Sequence, residues 1–128
     1  MDTKLRNLIL IIVAALAVVG ALLYFSWVWQ NQPGKLDQLA QCIKDKGAVF
    51  YGAFWCPHCQ NEKKLFGNSA RYLPYVECST PDSNGQLKVC ADQNIKVYPT
   101  WRFADGSSEE GELTVQQLAD KTGCVVPQ

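Results

Sequence analysis

A short apolar run that leads into two cysteines decides the fold of this chain: Ala48-Val49-Phe50-Tyr51-Gly52-Ala53-Phe54-Trp55-Cys56-Pro57-His58-Cys59. The run predicts a buried strand, because it is short, continuous and apolar. Pro57 predicts the first residue of a helix, where the missing N–H of proline does no harm. Cys56 then faces unpaired N–H groups and the positive end of the helix dipole, which favour a thiolate. A thiolate is the nucleophile of thiol–disulfide exchange, so the stretch predicts a redox site.

The flanking segments alternate between helical and strand patterns. Helices are predicted over residues 36–47, 57–66, 86–93 and 114–122, and strands over residues 48–54, 73–78 and 99–103, with a hairpin to a short fourth strand. Thr114 and Gln117 match a capping box, and Gly123 is placed to end the last helix. Strands joined through helices run parallel, and the late hairpin adds an antiparallel edge. The order predicts an α/β fold with a central mixed sheet flanked by helices.

An uncharged segment of 22 residues, 8–29, precedes this pattern. As a helix it is roughly 33 Å long, enough to cross a bilayer core. Lys4 and Arg6 precede it and Lys35 is the only nearby cation after it, so the positive-inside rule places the N-terminus in the cytoplasm. A cleaved signal peptide is the alternative, because Ala15-Leu16-Ala17 has the small-x-small pattern of a cleavage site. Both interpretations export the remainder of the chain.

We therefore divide the chain into a cytoplasmic N-terminus (1–7), a transmembrane anchor (8–29), a linker (30–35) and one domain (36–128). The formal net charge is zero, and residues from Leu36 onward carry 9 Lys and Arg against 11 Asp and Glu. This balance gives no support to nucleic-acid binding.

Six cysteines fit an oxidising compartment. The four outside the redox pair are Cys42, Cys78, Cys90 and Cys124. Four cysteines allow three pairings, and buried apolar filler and a zinc site are further alternatives. Only Cys56 and Cys59 have the close spacing of zinc ligands, so no metal is expected.

Four features together resemble the thioredoxin superfamily over residues 36–124: the strand entering the Cys-x-x-Cys pair, the element order, Tyr98-Pro99-Thr100 and the closing helix. A narrower resemblance rests on residues 50–59, Lys64-Leu65-Phe66-Gly67, Tyr75-Val76-Glu77-Cys78 and Tyr98-Pro99-Thr100-Trp101. These segments look like the thioredoxin-like, DsbA-like domain of vitamin K epoxide reductase homologues. In such proteins the domain is often fused to a membrane reductase. The chain resembles a stand-alone, membrane-anchored version of that domain.

The resemblance implies a role for each site residue. Cys56 is expected to be the exposed attacking sulfur and Cys59 the buried resolving thiol. Pro99 is expected to follow a cis peptide bond, the alternative being a proline at an edge strand. It would present the Tyr98 backbone to substrate, and with Trp55 these residues form the expected substrate-binding surface.

Pro57-His58 between the cysteines matches the DsbA family of oxidases. His58 is expected to stabilise the Cys56 thiolate, which would make the disulfide a stronger oxidant; an exposed filler residue is the alternative. Thioredoxin carries a buried acid in the preceding strand, where this chain has Phe50. Glu62, on the same helix as the pair, is expected to face solvent.

The narrower family also implies a Cys78–Cys90 bridge. A Cys42–Cys124 bridge would tie the first and last helices together, provided that those helices do not cover opposite faces of the sheet. The pairing of Cys42 and Cys124 therefore stays open.

We expect an extracytoplasmic thiol–disulfide oxidoreductase that needs no cofactor beyond its own disulfide. It would donate disulfides to exported proteins with thiols and be reoxidised by a separate membrane enzyme of the vitamin K epoxide reductase type. A membrane-anchored reductase or isomerase, for example in cytochrome maturation, is the first alternative. A binding module with a static Cys56–Cys59 disulfide is the second.

Overall fold

A computed structural model of the chain describes residues 2–128. The chain forms two compact units, one up to Gln32 and one from Pro33 to Gln128. The first unit is a single helix, α1 (Thr3–Gln30), with 28 residues and an N-cap on Asp2. It is long and apolar enough to cross a membrane, and none of its residues is buried in protein. The helix begins before the predicted span and includes its two preceding cations.

The second unit contains four further α-helices, one 3₁₀ helix and four strands. Their bounds are α2 (Asp37–Asp45), β1 (Val49–Gly52), α3 (Pro57–Phe66), a 3₁₀ helix (Gly67–Tyr72), β2 (Tyr75–Glu77), α4 (Lys88–Ala91), β3 (Thr100–Arg102), β4 (Ser108–Glu110) and α5 (Val115–Thr122). The predicted order of helices and strands is confirmed. Helix α3 has its predicted bounds, and the other predicted helices and strands with stated bounds are observed shorter. Residues 67–69, predicted only to end a helix, begin the 3₁₀ helix.

The four strands form one mixed sheet in the order β2-β1-β3-β4. Strands β1 and β2 run parallel, while β1 with β3 and β3 with β4 run antiparallel. This confirms the predicted α/β class, and the mixed sheet flanked by helices has the thioredoxin-like fold. The topology puts the C-terminal end of β1, which leads to the cysteine pair, in the middle of the sheet.

Neighbouring residues of β1 enter different clusters, because successive side chains in a strand point to opposite faces. Phe50 stacks on Trp101 of β3, with ring centroids 4.8 Å apart, in the main core. Helices α2 and α5 contribute to that same core through Leu39 and Leu118. Tyr51 joins a smaller cluster that contains the Cys78–Cys90 bridge. Helices α2 and α5 therefore share one core, which settles the question that left the pairing of Cys42 and Cys124 open.

Candidate redox site

The two central cysteines lie where β1 passes into α3. Cys56 is the N-cap of α3, and Pro57 begins the helix. The backbone N–H of Cys59 donates to Cys56 Sγ at 3.4 Å, so the sulfur takes the place of a capping oxygen. Cys56 and Cys59 are the free cysteines among residues 2–128. The arrangement places a nucleophilic sulfur at the positive end of the helix dipole, with a second thiol one turn away.

The prediction that Cys56 is exposed was wrong. Cys56 exposes 4% of its surface and Cys59 exposes 1%. The segment before β3 lies against Cys56. Its Tyr98 carbonyl oxygen is 3.6 Å from Cys56 Sγ and accepts a hydrogen bond from the thiol. Cys56 is more exposed than Cys59, in the predicted order, but both sulfurs are packed within the protein.

The peptide bond between Tyr98 and Pro99 is cis, as expected. The Tyr98 ring meets Trp55 edge to face, with centroids 6.2 Å apart. The indole N–H of Trp55 donates to Ser79 Oγ at 2.7 Å, and 47% of this residue is exposed. Phe54 and Val97 are also exposed apolar residues. The structure therefore brings Trp55 and Tyr98 together beside Cys56, on a surface that is partly apolar, whereas the Pro99 side chain is fully buried.

The imidazole of His58 pairs with a residue that the sequence analysis did not identify. His58 Nδ1 lies 2.5 Å from Glu112 Oε1, on the segment between β4 and α5. Asn61 donates to the same carboxylate oxygen at 3.4 Å. The hydrogen bond from His58 holds the pKa of Glu112 below its usual range. Glu112 lies 54 residues from His58, and no local pattern signals such a pair.

Glu62 is fully buried, so the prediction that it faces solvent was wrong. Its Oε1 accepts two hydrogen bonds, one from the Trp101 indole N–H at 2.7 Å and one from the Leu113 backbone N–H at 3.2 Å. Its Oε2 is buried and has no hydrogen-bond partner among the described residues. Burial raises the pKa of Glu62 to about 7, although both hydrogen bonds lower it.

A sequence signal for the burial of Glu62 did exist. Cys59, Glu62 and Phe66 are the buried residues of α3, and they are spaced by three and four positions. That spacing places them on one face of a helix. The two apolar members mark the face that packs inward, and Glu62 lies between them.

Cys59 is a protonated thiol at neutral pH. Burial raises its pKa to about 12, with further contributions from its hydrogen bond with Cys56 and from the charge of Glu62. A Cβ atom added to Gly52 of β1 would lie 2.9 Å from Cys59 Sγ.

Lys63 lies over the Tyr75 ring, 3.2 Å from its centroid, and burial lowers the pKa of this lysine. The Tyr75 hydroxyl donates to Glu77 Oε2 at 2.8 Å.

The remaining cysteines form two bridges, Cys42–Cys124 and Cys78–Cys90. The first joins α2 to the residues that follow α5, which is possible because both helices pack in the main core. Among residues 2–128 there is no group of three or more His, Cys, Asp and Glu residues that could hold a metal ion.

No family model matches the chain. One curated relative, Thiol-disulfide oxidoreductase LTO1 of Arabidopsis thaliana, is 43% identical over 90 residues. The match covers 66% of this chain and 23% of that protein. The relative's name agrees with the class of enzyme that the sequence predicts.

Proposed function

We propose that the chain is a thiol–disulfide oxidoreductase whose redox pair is Cys56 and Cys59. The observation that carries the proposal is the free thiol pair at the N-terminus of α3, next to the carbonyl of Tyr98. The similarity to a protein named as a thiol–disulfide oxidoreductase supports the same conclusion. Exchange begins when a thiolate attacks Cys56 in the oxidised pair, and Cys59 then leaves.

We further propose that the protein donates disulfides outside the cytoplasm. A substrate thiolate attacks Cys56, a mixed disulfide forms, and a second substrate thiol displaces Cys56. A separate membrane enzyme of the vitamin K epoxide reductase type would then accept the two electrons. Pro57-His58 and the resemblance of the domain support this direction, and α1 supports attachment to the membrane.

The burial of Glu62 favours a second candidate, a membrane-anchored reductase or isomerase. Phe50 in place of thioredoxin's buried acid disfavours this function, yet a buried carboxyl does lie on α3. The reduction potential of the Cys56–Cys59 pair distinguishes the two candidates.

The deciding experiment equilibrates the full-length chain in detergent micelles with glutathione buffers and measures the fraction of the pair oxidised. An oxidase is expected to have a potential well above the thioredoxin range of about −270 mV. A value in or below that range would replace the oxidase with the reductase. Protease digestion of intact cells tests the orientation separately, because only an extracytoplasmic domain is cleaved without lysis.

The Cys59→Ala variant tests two remaining points, the identity of the electron acceptor and whether the Cys56–Cys59 pair is redox-active. This variant leaves Cys56 without its resolving thiol, so a mixed disulfide should accumulate. Accumulation with a reductase of the vitamin K epoxide reductase type is expected if that enzyme is the electron acceptor. Failure of the Cys56 thiol to form a mixed disulfide with any disulfide compound would favour a static Cys56–Cys59 disulfide.

A further inference from the structure

The carboxyl group of Glu62 has no part in the exchange chemistry described above, although it lies in the core beside the redox pair. It follows Cys59 by three residues on α3, which puts both side chains on one face of the helix, one turn apart. Cys59 is 1% exposed and Glu62 is fully buried. A buried thiol that must gain and lose a proton thus shares its helix face with a buried carboxyl group.

The two oxygens of Glu62 have different surroundings. Oε1 receives both hydrogen bonds, from Trp101 on β3 and from the backbone of Leu113 before α5. Oε2 receives none from the described residues, although it is buried. Burying a carboxylate oxygen without a partner is costly, so a purely structural tie would leave this oxygen unexplained. Protonation of Glu62 would remove the charge from this oxygen and so lower the cost of burying it.

We propose that Glu62 is the proton acceptor and donor for Cys59 during thiol–disulfide exchange. The inference rests on Cys56 and Cys59 being the redox pair, and it holds for either direction of electron flow. It replaces the expectation that Glu62 faces solvent.

The proton and the electrons balance in each direction. When the reduced pair becomes oxidised, the Cys59 proton passes to the Glu62 carboxylate. The Cys59 sulfur then attacks Cys56, which is in a mixed disulfide with the substrate. A Cys56–Cys59 bond forms, and the substrate sulfur leaves as a thiolate with the electron pair. When the pair is reduced, a substrate thiolate attacks Cys56, and Cys59 leaves and takes the proton from Glu62. The two electrons stay on the sulfurs throughout.

The charges around Glu62 are consistent with this role. The pKa of Glu62 is raised to about 7, mainly by burial and in part by Glu112 on the segment before α5. The charge of Glu62 is also one of the causes that raise the pKa of Cys59, which lies on the same helix. Strand β3 contributes the indole of Trp101, which does not titrate in this range. Glu62 can therefore be both an acceptor and a donor near neutral pH.

The test is the rate at which the reduced full-length chain in detergent micelles closes its disulfide after reaction with oxidised glutathione. Acid quenching and mass spectrometry separate the Cys56–glutathione mixed disulfide from the closed pair between pH 5 and 9. The wild-type closure rate is expected to break near pH 7. Glu62→Gln should lack that break and close roughly 100-fold more slowly at pH 7.

Glu62→Gln keeps an oxygen that can accept from Trp101 and Leu113, so it separates proton transfer from the structural tie. Glu110→Gln, the same change at an exposed position of β4, is the matched control and should retain the wild-type profile. Identical profiles for Glu62→Gln and wild type would overturn the proposal. A potential near that of thioredoxin would overturn only the oxidase function. Absence of any Cys56–glutathione adduct would instead contradict the redox pair.

A second measurement uses the wild-type chain alone and decides the matter if Glu62→Gln does not fold. Infrared difference spectra between the reduced and oxidised protein report protonation of buried carboxyl groups. A carboxyl C=O band that changes with the redox state is expected, because Glu62 exchanges its proton with Cys59. If the reduced and oxidised proteins show the same carboxyl band at every pH between 6 and 8, the proposal is overturned.

Discussion

At the scale of single residues, Glu62 holds its proton at a pH where an exposed glutamate has lost it. Its pKa is raised from 4.5 to about 7 because the side chain is fully buried. Between these two values the folded chain binds more protons than the unfolded chain. Stability therefore falls as pH rises through this window, the opposite of the behaviour of a carboxyl group whose pKa is lowered on folding.

We predict that this one group costs the wild-type chain about 3 kcal/mol of unfolding free energy between pH 4 and pH 8. The contribution is fully favourable below pH 4.5 and is lost as pH rises through about 7. Glu62→Gln should lack this loss, whatever its absolute stability. Denaturant unfolding of both proteins at several pH values gives the difference, in which other titrating groups cancel. A constant difference from pH 4 to pH 8 would show that Glu62 ionises normally.

Residue-scale prediction from sequence depends on whether the signal is local. The spacing of Cys59, Glu62 and Phe66 signals that Glu62 is buried, because the face of a helix follows from its periodicity. The contact between His58 and Glu112 depends on the path of the chain over 54 residues. No periodicity reaches that far, so Glu112 could be found only in the folded structure.

At the scale of elements, the end of β1 meets the first turn of α3. A Cβ atom on Gly52 would lie 2.8 Å from Tyr75 Cε2 and 2.9 Å from Cys59 Sγ. The strand can therefore approach the redox pair only because this residue has no side chain. The constraint belongs to the packing of β1, β2 and α3 together, since each contributes one of the three residues.

We predict that Gly52→Ala destabilises the protein by about 1–3 kcal/mol through overpacking. It should also slow closure of the Cys56–Cys59 disulfide, because Cys59 Sγ must move away from the new methyl group. Gly85→Ala is the matched control, since the nearest atom to its added Cβ is a Thr80 methyl carbon at 3.3 Å. Unfolding free energies and closure rates measure both effects. Equal rates for the two variants would show that the strand does not constrain Cys59.

Element type follows from local patterns more closely than element length. The capping box of Thr114 and Gln117 and the left-handed Gly123 are both present at the ends of α5, as predicted. Strand β1 ends at Gly52, although the apolar run continues to Phe54. The apolar run cannot show where pairing stops, because the end of β2 at Glu77 sets that point. The Glu77 side chain, and not a strand backbone, accepts from the Phe54 N–H.

At the scale of the whole molecule, two bridges of very different span hold the second unit together. Cys42–Cys124 joins residues 82 positions apart, and Cys78–Cys90 joins residues 12 apart. The sequence left the pairing of Cys42 and Cys124 open because it does not show which sheet face each helix covers. The shared core of α2 and α5 brings the two cysteines together.

The longer bridge is expected to contribute more stability. On the loop-entropy model, closing a loop of this length stabilises by about 4.5 kcal/mol, against about 3 kcal/mol for the shorter one. Replacing Cys42 and Cys124 together by Ala should thus lower the unfolding free energy more than replacing Cys78 and Cys90, measured on the full-length chain with the redox pair reduced. The paired replacements leave Cys56 and Cys59 in place, so glutathione equilibration of each folded variant shows whether its redox potential has changed. A larger loss from the shorter bridge would mean that local packing around Cys78 and Cys90, and not chain entropy, decides how this domain is stabilised.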